Sequence, residues 1–165
     1  MSQRWLYSIA FLTIVLLLLF SVYLQIFKGV IPCPLCTLQR LTFGLLGIIF
    51  VIGVLVARFR ISRFVINGCA AFTSLLGIFL AGRQIWLQHF PSAATEECGV
   101  SIQYMMQILP LREVIPKIFQ GSVECSQQGW SFFYLDMAEW AFIWFGIFLT
   151  FALYSIAKDY RKNNR

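Results

Sequence analysis

The stretch WLYSIAFLTIVLLLLFSVYLQIF, Trp5 to Phe27, contains no charged side chain. A helix needs about 17 to 25 such residues to cross a hydrocarbon core about 30 Å thick, and this run is of that length. Three further uncharged runs follow: Leu41 to Ala57, Phe64 to Gly82 and Trp140 to Ala157. The chain of 165 residues is 59% hydrophobic and only 12% charged, where an ordinary soluble domain is about 25% charged. The composition argues against a soluble protein. It predicts an all-α integral membrane four-helix bundle forming one domain, with spans at about 5–27, 37–57, 64–86 and 138–157. The first run exceeds the 7 to 15 apolar residues of a signal peptide, and no small-x-small cleavage site follows it. It is expected to stay in the mature protein.

The net charge of +6 carries orientation information. In a four-span chain Arg4, Arg58, Arg60, Arg63, Lys158, Arg161, Lys162 and Arg165 all fall on one side, which the positive-inside rule makes the cytoplasm. Lys28, Arg112 and Lys117 fall on the other, with Arg40 and Arg83 near the ends of their spans. Both termini are therefore expected in the cytoplasm, and segments 28–36 and 87–137 on the outer side. No nucleic-acid motif accompanies the basic residues.

The second outer segment is long for a connection without a fold of its own, and such loops are commonly functional. Pro91, Pro110, Pro116 and Gly121-Ser122 break it into short pieces, so an irregular, partly mobile loop is expected. Within it, Ser101 to Phe119 has an apolar side suited either to the membrane interface or to packing over the helix ends. Trp5, Trp86, Trp140 and Trp144 stand near span ends, where aromatic belts form. Gly44, Gly47, Gly53, Gly68 and Gly77 sit within spans, where small residues let helices approach.

Four of the five cysteines fall in the outer segments: Cys33, Cys36, Cys98 and Cys125. Cys69, between Gly68 and Ala70 in the third span, is expected to act as a small packing residue. A structural zinc site usually draws on two close-spaced ligand pairs, and Cys98 and Cys125 lack that spacing. Two structural disulfides are another reading. A link between Cys98 and Cys125 would close about 28 residues and contribute about 3 to 4 kcal/mol in the chain-entropy model. That reading suits Cys33 and Cys36 badly, because a two-residue spacer closes almost no loop. A C-x-x-C pair is suited to cycling between dithiol and disulfide, with one thiol acidified by its surroundings.

The sequence IPCPLCTLQR, Ile31 to Arg40, contains such surroundings. A helix starting near Pro34, whose missing N–H suits the first helical turn, puts Cys36 in that turn, where the macrodipole favours a thiolate. Arg40 follows four residues later on the same helix face. A guanidinium inside a membrane boundary needs a polar or anionic partner and marks a functional candidate, unless it snorkels to the interface. A redox pair at a membrane surface also needs an acceptor. The apolar, glycine-bearing start of the second helix suits a flat, lipid-soluble one, and a quinone has those properties. Side chains do not perform such acceptor chemistry themselves, and no dinucleotide fingerprint or haem C-x-x-C-H is present.

At this point PCPLCTLQR (Pro32–Arg40), RQIWLQHFP (Arg83–Pro91), EECGVSIQYM (Glu96–Met105), GSVECSQQGWSF (Gly121–Phe132) and MAEWAFIWF (Met137–Phe145) carry a resemblance over nearly the whole length. The chain resembles the disulfide-bond formation protein B (DsbB) family, bacterial inner-membrane thiol:quinone oxidoreductases. The resemblance implies that Cys98 forms a mixed disulfide with a reduced DsbA-like periplasmic thiol oxidase and that Cys125 is its disulfide mate. It implies that Cys33 exchanges with Cys125. Cys36 would then be the thiolate that contacts the quinone, ubiquinone or menaquinone, with Arg40 stabilising thiolate and reduced ring. The relay of soluble oxidase, membrane protein and quinone is the arrangement credited with keeping the bacterial periplasm oxidising. The family pattern has Met-Pro-x-Trp before the fourth helix; this chain reads YLDMAEW (Tyr134–Trp140), with Ala138 in the proline's place. His89, the single histidine, is expected to be an interfacial polar residue, with proton transfer to the quinone as the alternative.

Two other functions are compatible with parts of the pattern. One is a non-enzymatic scaffold or transport component with two structural disulfides. The other is a reductase of the vitamin K epoxide type, whose shuttle cysteines ordinarily precede the quinone-side pair, the reverse of the order here.

Overall fold

A computed structural model describes residues 3–28, 34–56, 60–90, 131–132 and 134–161. Among these are four long helices: α1 (Gln3–Lys28), α2 (Pro34–Val56), α3 (Arg60–His89) and α4 (Met137–Arg161). All four are long and apolar enough to cross a membrane. Lipid offers no partner for backbone N–H or C=O, so an apolar run closes its hydrogen bonds internally as helix. The helices reach beyond the apolar runs: α2 begins at Pro34, and α3 continues past Gly82 to His89. The Phe90 N–H then donates to the Trp86 carbonyl at 2.9 Å, extending the last turn.

Consecutive helices pack side by side, α1 on α2, α2 on α3 and α3 on α4. Between lipid-soluble surfaces the hydrophobic effect gives little net drive, so close van der Waals fit holds the helices together. Aromatic rings fill the centre. Phe43 of α2 stacks on Phe145 of α4 with centroids 4.0 Å apart and planes 14° from parallel, while Phe50 contacts Tyr7 of α1 at 6.0 Å. Gly77 of α3 makes room for this stack: a Cβ built there would overlap the Phe145 ring. Gly53 likewise admits Tyr7 and Ile66, whereas Gly44 and Gly68 have no atom within 4 Å of an added Cβ. The expected role in close approach therefore holds for Gly47, Gly53 and Gly77 but not for Gly44 or Gly68.

Cys69 departs from expectation, because it lies exposed on α3 rather than in the packed core. The helical period turns that residue outward while the next one, Ala70, is fully buried. Trp5 and Trp86 are 69% and 59% exposed, and Trp140 and Trp144 are half-buried.

The end of the bundle formed by the starts of α1 and α3 and the end of α4 is closed by polar contacts. Arg63 pairs with Asp159 at 3.3 Å, and the Tyr7 hydroxyl donates to Asn67 Oδ1 at 3.1 Å. Tyr7 and Asn67 are both fully buried. At the other end, the last described residues of the outer segment are not wholly irregular. Strands β1 (Ser131–Phe132) and β2 (Leu135–Asp136) pair antiparallel, with Phe132 opposite Leu135. Tyr134 takes a left-handed φ of 62° in the turn. The hairpin runs straight into α4, where Glu139 accepts the Asp136 backbone N–H at 2.9 Å, half of a capping box. Ala138 is buried in this first helical turn, a position that tolerates proline.

Candidate functional site at the start of helix α2

With Pro34 as the first residue of α2, Cys36 occupies the first turn, where unsatisfied N–H groups and the positive end of the helix macrodipole lie. Its neighbour Leu35 is fully buried against Leu80 and Leu87 of α3, and Cys36 and Leu38 pack on that cluster. This contact brings the start of α2 against the late turns of α3. It also sets Cys36 beside Gln84.

Gln84 is 4% exposed and Gln39 is 5% exposed. Gln84 Nε2 donates to the Cys36 sulfur at 3.1 Å, and Gln84 Oε1 accepts from Gln39 Nε2 at 2.8 Å. The same oxygen lies 3.5 Å from the sulfur, in reach of an S–H donor. A carboxamide has two donor hydrogens and one acceptor oxygen, and both ends of Gln84 are therefore used. The sulfur contact is short for a bond to such a large, weak acceptor.

Arg40 is placed differently. Its Nη1 donates to Gln25 Oε1 and its Nη2 to the Ser21 carbonyl at 3.3 Å, so its hydrogen bonds run across to α1 rather than to Cys36. The half-buried guanidinium has the polar partners that a charge at this depth requires. One turn deeper on α2, Gly44 and Gly47 line an apolar recess of about 190 Å³ against Phe11, Ile14, Val15 and Leu18 of α1. The start of α2 thus offers a sulfur, an amide donor, a guanidinium and an apolar slot. Such groups are of the kind that could hold a quinone ring and its apolar tail.

His89, exposed at the end of α3, has Nδ1 3.0 Å from the Ile85 carbonyl. Asp136 lies nearby. Burial pushes its carboxyl above the ordinary value of 3.8, Glu139 adds to the rise and His89 opposes it. These groups flank the same end of the bundle as Cys36.

Of the sequence-derived site residues, Cys36 and Arg40 lie on α2 as described, and Cys33, Cys98 and Cys125 lie outside the described residues, as does the stretch Ser101 to Phe119. Gln25, Gln39 and Gln84 were not singled out from the sequence. Their signal was available: uncharged polar side chains in or beside apolar runs need partners in a bilayer. Among the described residues no group of three or more His, Cys, Asp or Glu side chains is placed to hold a metal ion.

The model of the family "Disulfide bond formation protein DsbB" matches residues 3–155, a range that contains all four outer cysteines. The chain is 35% identical over 153 residues to Disulfide bond formation protein B of Azoarcus sp. (strain BH72), covering 93% of this chain and 92% of that protein. It is 36% identical over 155 residues to the protein of that name in Hahella chejuensis (strain KCTC 2396), covering 92% and 94%. To Disulfide bond formation protein B 1 of Pseudomonas aeruginosa (strain ATCC 15692 and its synonyms, PAO1 among them) it is 34% identical over 152 residues, covering 92% and 93%. A C-x-x-C pair at the head of a membrane helix and a match over nearly the full length agree: this multi-pass membrane chain belongs to the disulfide bond formation protein DsbB family.

Proposed function

We propose that this protein oxidises the dithiol of a soluble, DsbA-like periplasmic oxidase and delivers the electron pair to a membrane quinone. The observation that carries the reading is the Cys36 sulfur in the first turn of α2, held at 3.1 Å by the Gln84 amide. A helix N-terminus and a hydrogen-bond donor both favour the thiolate, which is the reactive form in exchange and electron donation.

The exchange conserves bonds and electrons. A partner thiolate attacks the Cys98 sulfur of a Cys98–Cys125 disulfide, and Cys125 leaves as a thiolate. The partner's second thiol then releases Cys98 and closes the partner's own disulfide. Cys125 attacks Cys33 of a Cys33–Cys36 disulfide, leaving Cys36 as the thiolate, and return of Cys98 to Cys125 frees Cys33. The net change on the chain is a reduced Cys33–Cys36 pair. A quinone held beside Cys36 and Arg40 would supply the acceptor for two electrons and two protons. Arg40 would then hold the ring, Gln84 holds the sulfur, and the recess beside Gly44 would take the apolar tail. The side of the membrane follows from charge, since Arg4, Arg63, Lys158 and Arg161 gather at one end of the bundle. With the positive-inside rule this supports a cytoplasmic place for that end and, for a protein of the bacterial inner membrane, a periplasmic place for the Cys36 end.

Purified protein in detergent, supplied with a reduced thioredoxin-fold dithiol protein and a short-chain quinone, should consume the quinone's absorbance catalytically. Cys36→Ser should abolish that consumption. Unchanged turnover in Cys36→Ser, or a parent protein that passes no electrons to quinone, would overturn the reading.

A further inference from the structure

Cys36 sits where three features act on its sulfur, and they differ in kind. The helix N-terminus acts through a diffuse dipole that weakens within a turn. The Arg40 guanidinium carries a full charge, but its hydrogen bonds go to Gln25 and Ser21 on α1. Gln84 is uncharged, comes from another helix and makes the short contact. Of these, the amide is the one that supplies a directed hydrogen bond to the sulfur.

We infer that Gln84, held in place by Gln39, is the positioning residue for the Cys36 sulfur, and that the two side chains form an uncharged relay from α2 to α3 and back. The inference rests on the proposed redox role of Cys36. Gln39 and Cys36 are three residues apart on α2, so both point to the same helix face, and Gln84 of α3 lies across from both. The 2.8 Å bond from Gln39 Nε2 occupies Gln84 Oε1, which leaves Nε2 turned toward the sulfur. A flip of the Gln84 amide alone would face nitrogen to nitrogen at Gln39 and lose that bond. With Gln39 in this orientation, Gln84 presents its Nε2 to the sulfur.

The chemistry follows from this orientation. A sulfur that gains negative charge strengthens its bond to Nε2–H, because hydrogen bonds to an ionised acceptor are about twice as strong as neutral ones. Toward Gln84, a protonated sulfur has the longer 3.5 Å approach to Oε1. The relay favours the charged form without carrying charge itself, so neither glutamine titrates as the cysteine cycles. Both amides are buried, and burial keeps water from competing for the same donor.

The test isolates the sulfur. In full-length protein with Cys33, Cys69, Cys98 and Cys125 replaced by serine, freed of quinone in detergent, Cys36 is the single thiol. Its titration is followed by thiolate absorbance near 240 nm and by the pH dependence of iodoacetamide alkylation. Gln84→Met, close in volume but without the donor, should move the midpoint up by about one pH unit, which is about a tenfold fall in alkylation rate at pH values below both midpoints. Gln39→Leu should move it the same way by less, since the amide remains but is no longer oriented. The other charged side chains near this end, Arg40, Arg83, His89, Asp136 and Glu139, stay the same throughout. A merely structural role would lower the melting temperature and leave the midpoint where it was, and that result in a folded variant overturns the inference. If Gln84→Met does not yield folded protein, Gln39→Leu decides on the same criterion. The titration needs no quinone, so it stands or falls separately from quinone reduction.

Discussion

The two ends of the bundle both bury polar side chains between helices, but they solve that problem in opposite ways. At the end carrying the termini, a full ion pair joins Arg63 and Asp159 at 3.3 Å, and Tyr7 closes on Asn67 at 3.1 Å. At the other end the buried partners are the uncharged amides Gln39 and Gln84, and their chain of bonds finishes on a sulfur. The charged end locks α3 to α4 through an ion pair. The uncharged end locks α2 to α3 and ends on a thiol. Polar groups buried in a membrane protein are costly wherever they occur, so the contrast sets a contact between two charged groups against one that ends on the sulfur proposed as reactive.

Breaking each end should give different symptoms. Cys36→Ser removes the reactive atom, and quinone-coupled turnover should vanish while the melting temperature in detergent stays near that of the parent. Asp159→Ala takes the ion-pair partner from the partly exposed Arg63 and should cost about 1 to 3 kcal/mol, less than removal of one member of a fully buried pair. Unfolding in a denaturing detergent titration measures that loss, and the rate of Cys36 alkylation at neutral pH should not change. A slowed alkylation would show that the two ends are coupled.

The glycines sharpen the same comparison from within the core. Gly77→Ala drives a methyl group into Phe145 and should destabilise by about 1 to 3 kcal/mol, as overpacking does. Gly44→Ala meets open space, and the better helix propensity of alanine should leave stability equal or higher by up to about 1 kcal/mol. Equal melting temperatures for the two variants would contradict the packing described around the Phe43–Phe145 stack.

The smallest effect is expected at Asp136, beside the sulfur end. Its carboxyl binds a proton more tightly in the folded protein than in the unfolded chain. Stability should therefore fall as pH rises from about 3.8 through the raised value, then stay level above it. Asp136→Asn should remove that slope and stabilise at neutral pH by less than about 1 kcal/mol, since the group is partly open to solvent. Melting curves between about pH 4 and pH 8 measure the slope directly.

The four helices were legible because an apolar run must close its own hydrogen bonds in lipid, and Trp5 to Phe27 carries that message without tertiary information. The relation of Cys36 to Arg40 was legible as helical spacing, although spacing alone does not say that Arg40 turns toward Gln25 and Ser21 of α1. Gln84 was hidden for a physical reason. It stands 48 residues from Cys36 in the chain, just past the apolar run that ends at Gly82, where a polar residue reads as a helix end. The packing of α2 on α3, with Leu35 against Leu80 and Leu87, brings the two together. The start of α4 was legible in principle, since Asp136-Met137-Ala138-Glu139 has the spacing of a capping box. Cys69 shows the converse limit, because a small residue beside glycine and alanine reads as packed until the helix's rotation is known.

The most direct measurement of the central role given to Cys36 is a single-turnover experiment with the reduced dithiol partner and one equivalent of short-chain quinone. Disulfide formed on the partner and quinone lost are counted in the same sample. In the parent protein the two should match one for one, and in Cys36→Ser no quinone should be consumed. Partner oxidation without quinone loss in the parent, or equal quinone loss in Cys36→Ser, would contradict the assignment of Cys36 as the point where electrons leave the chain.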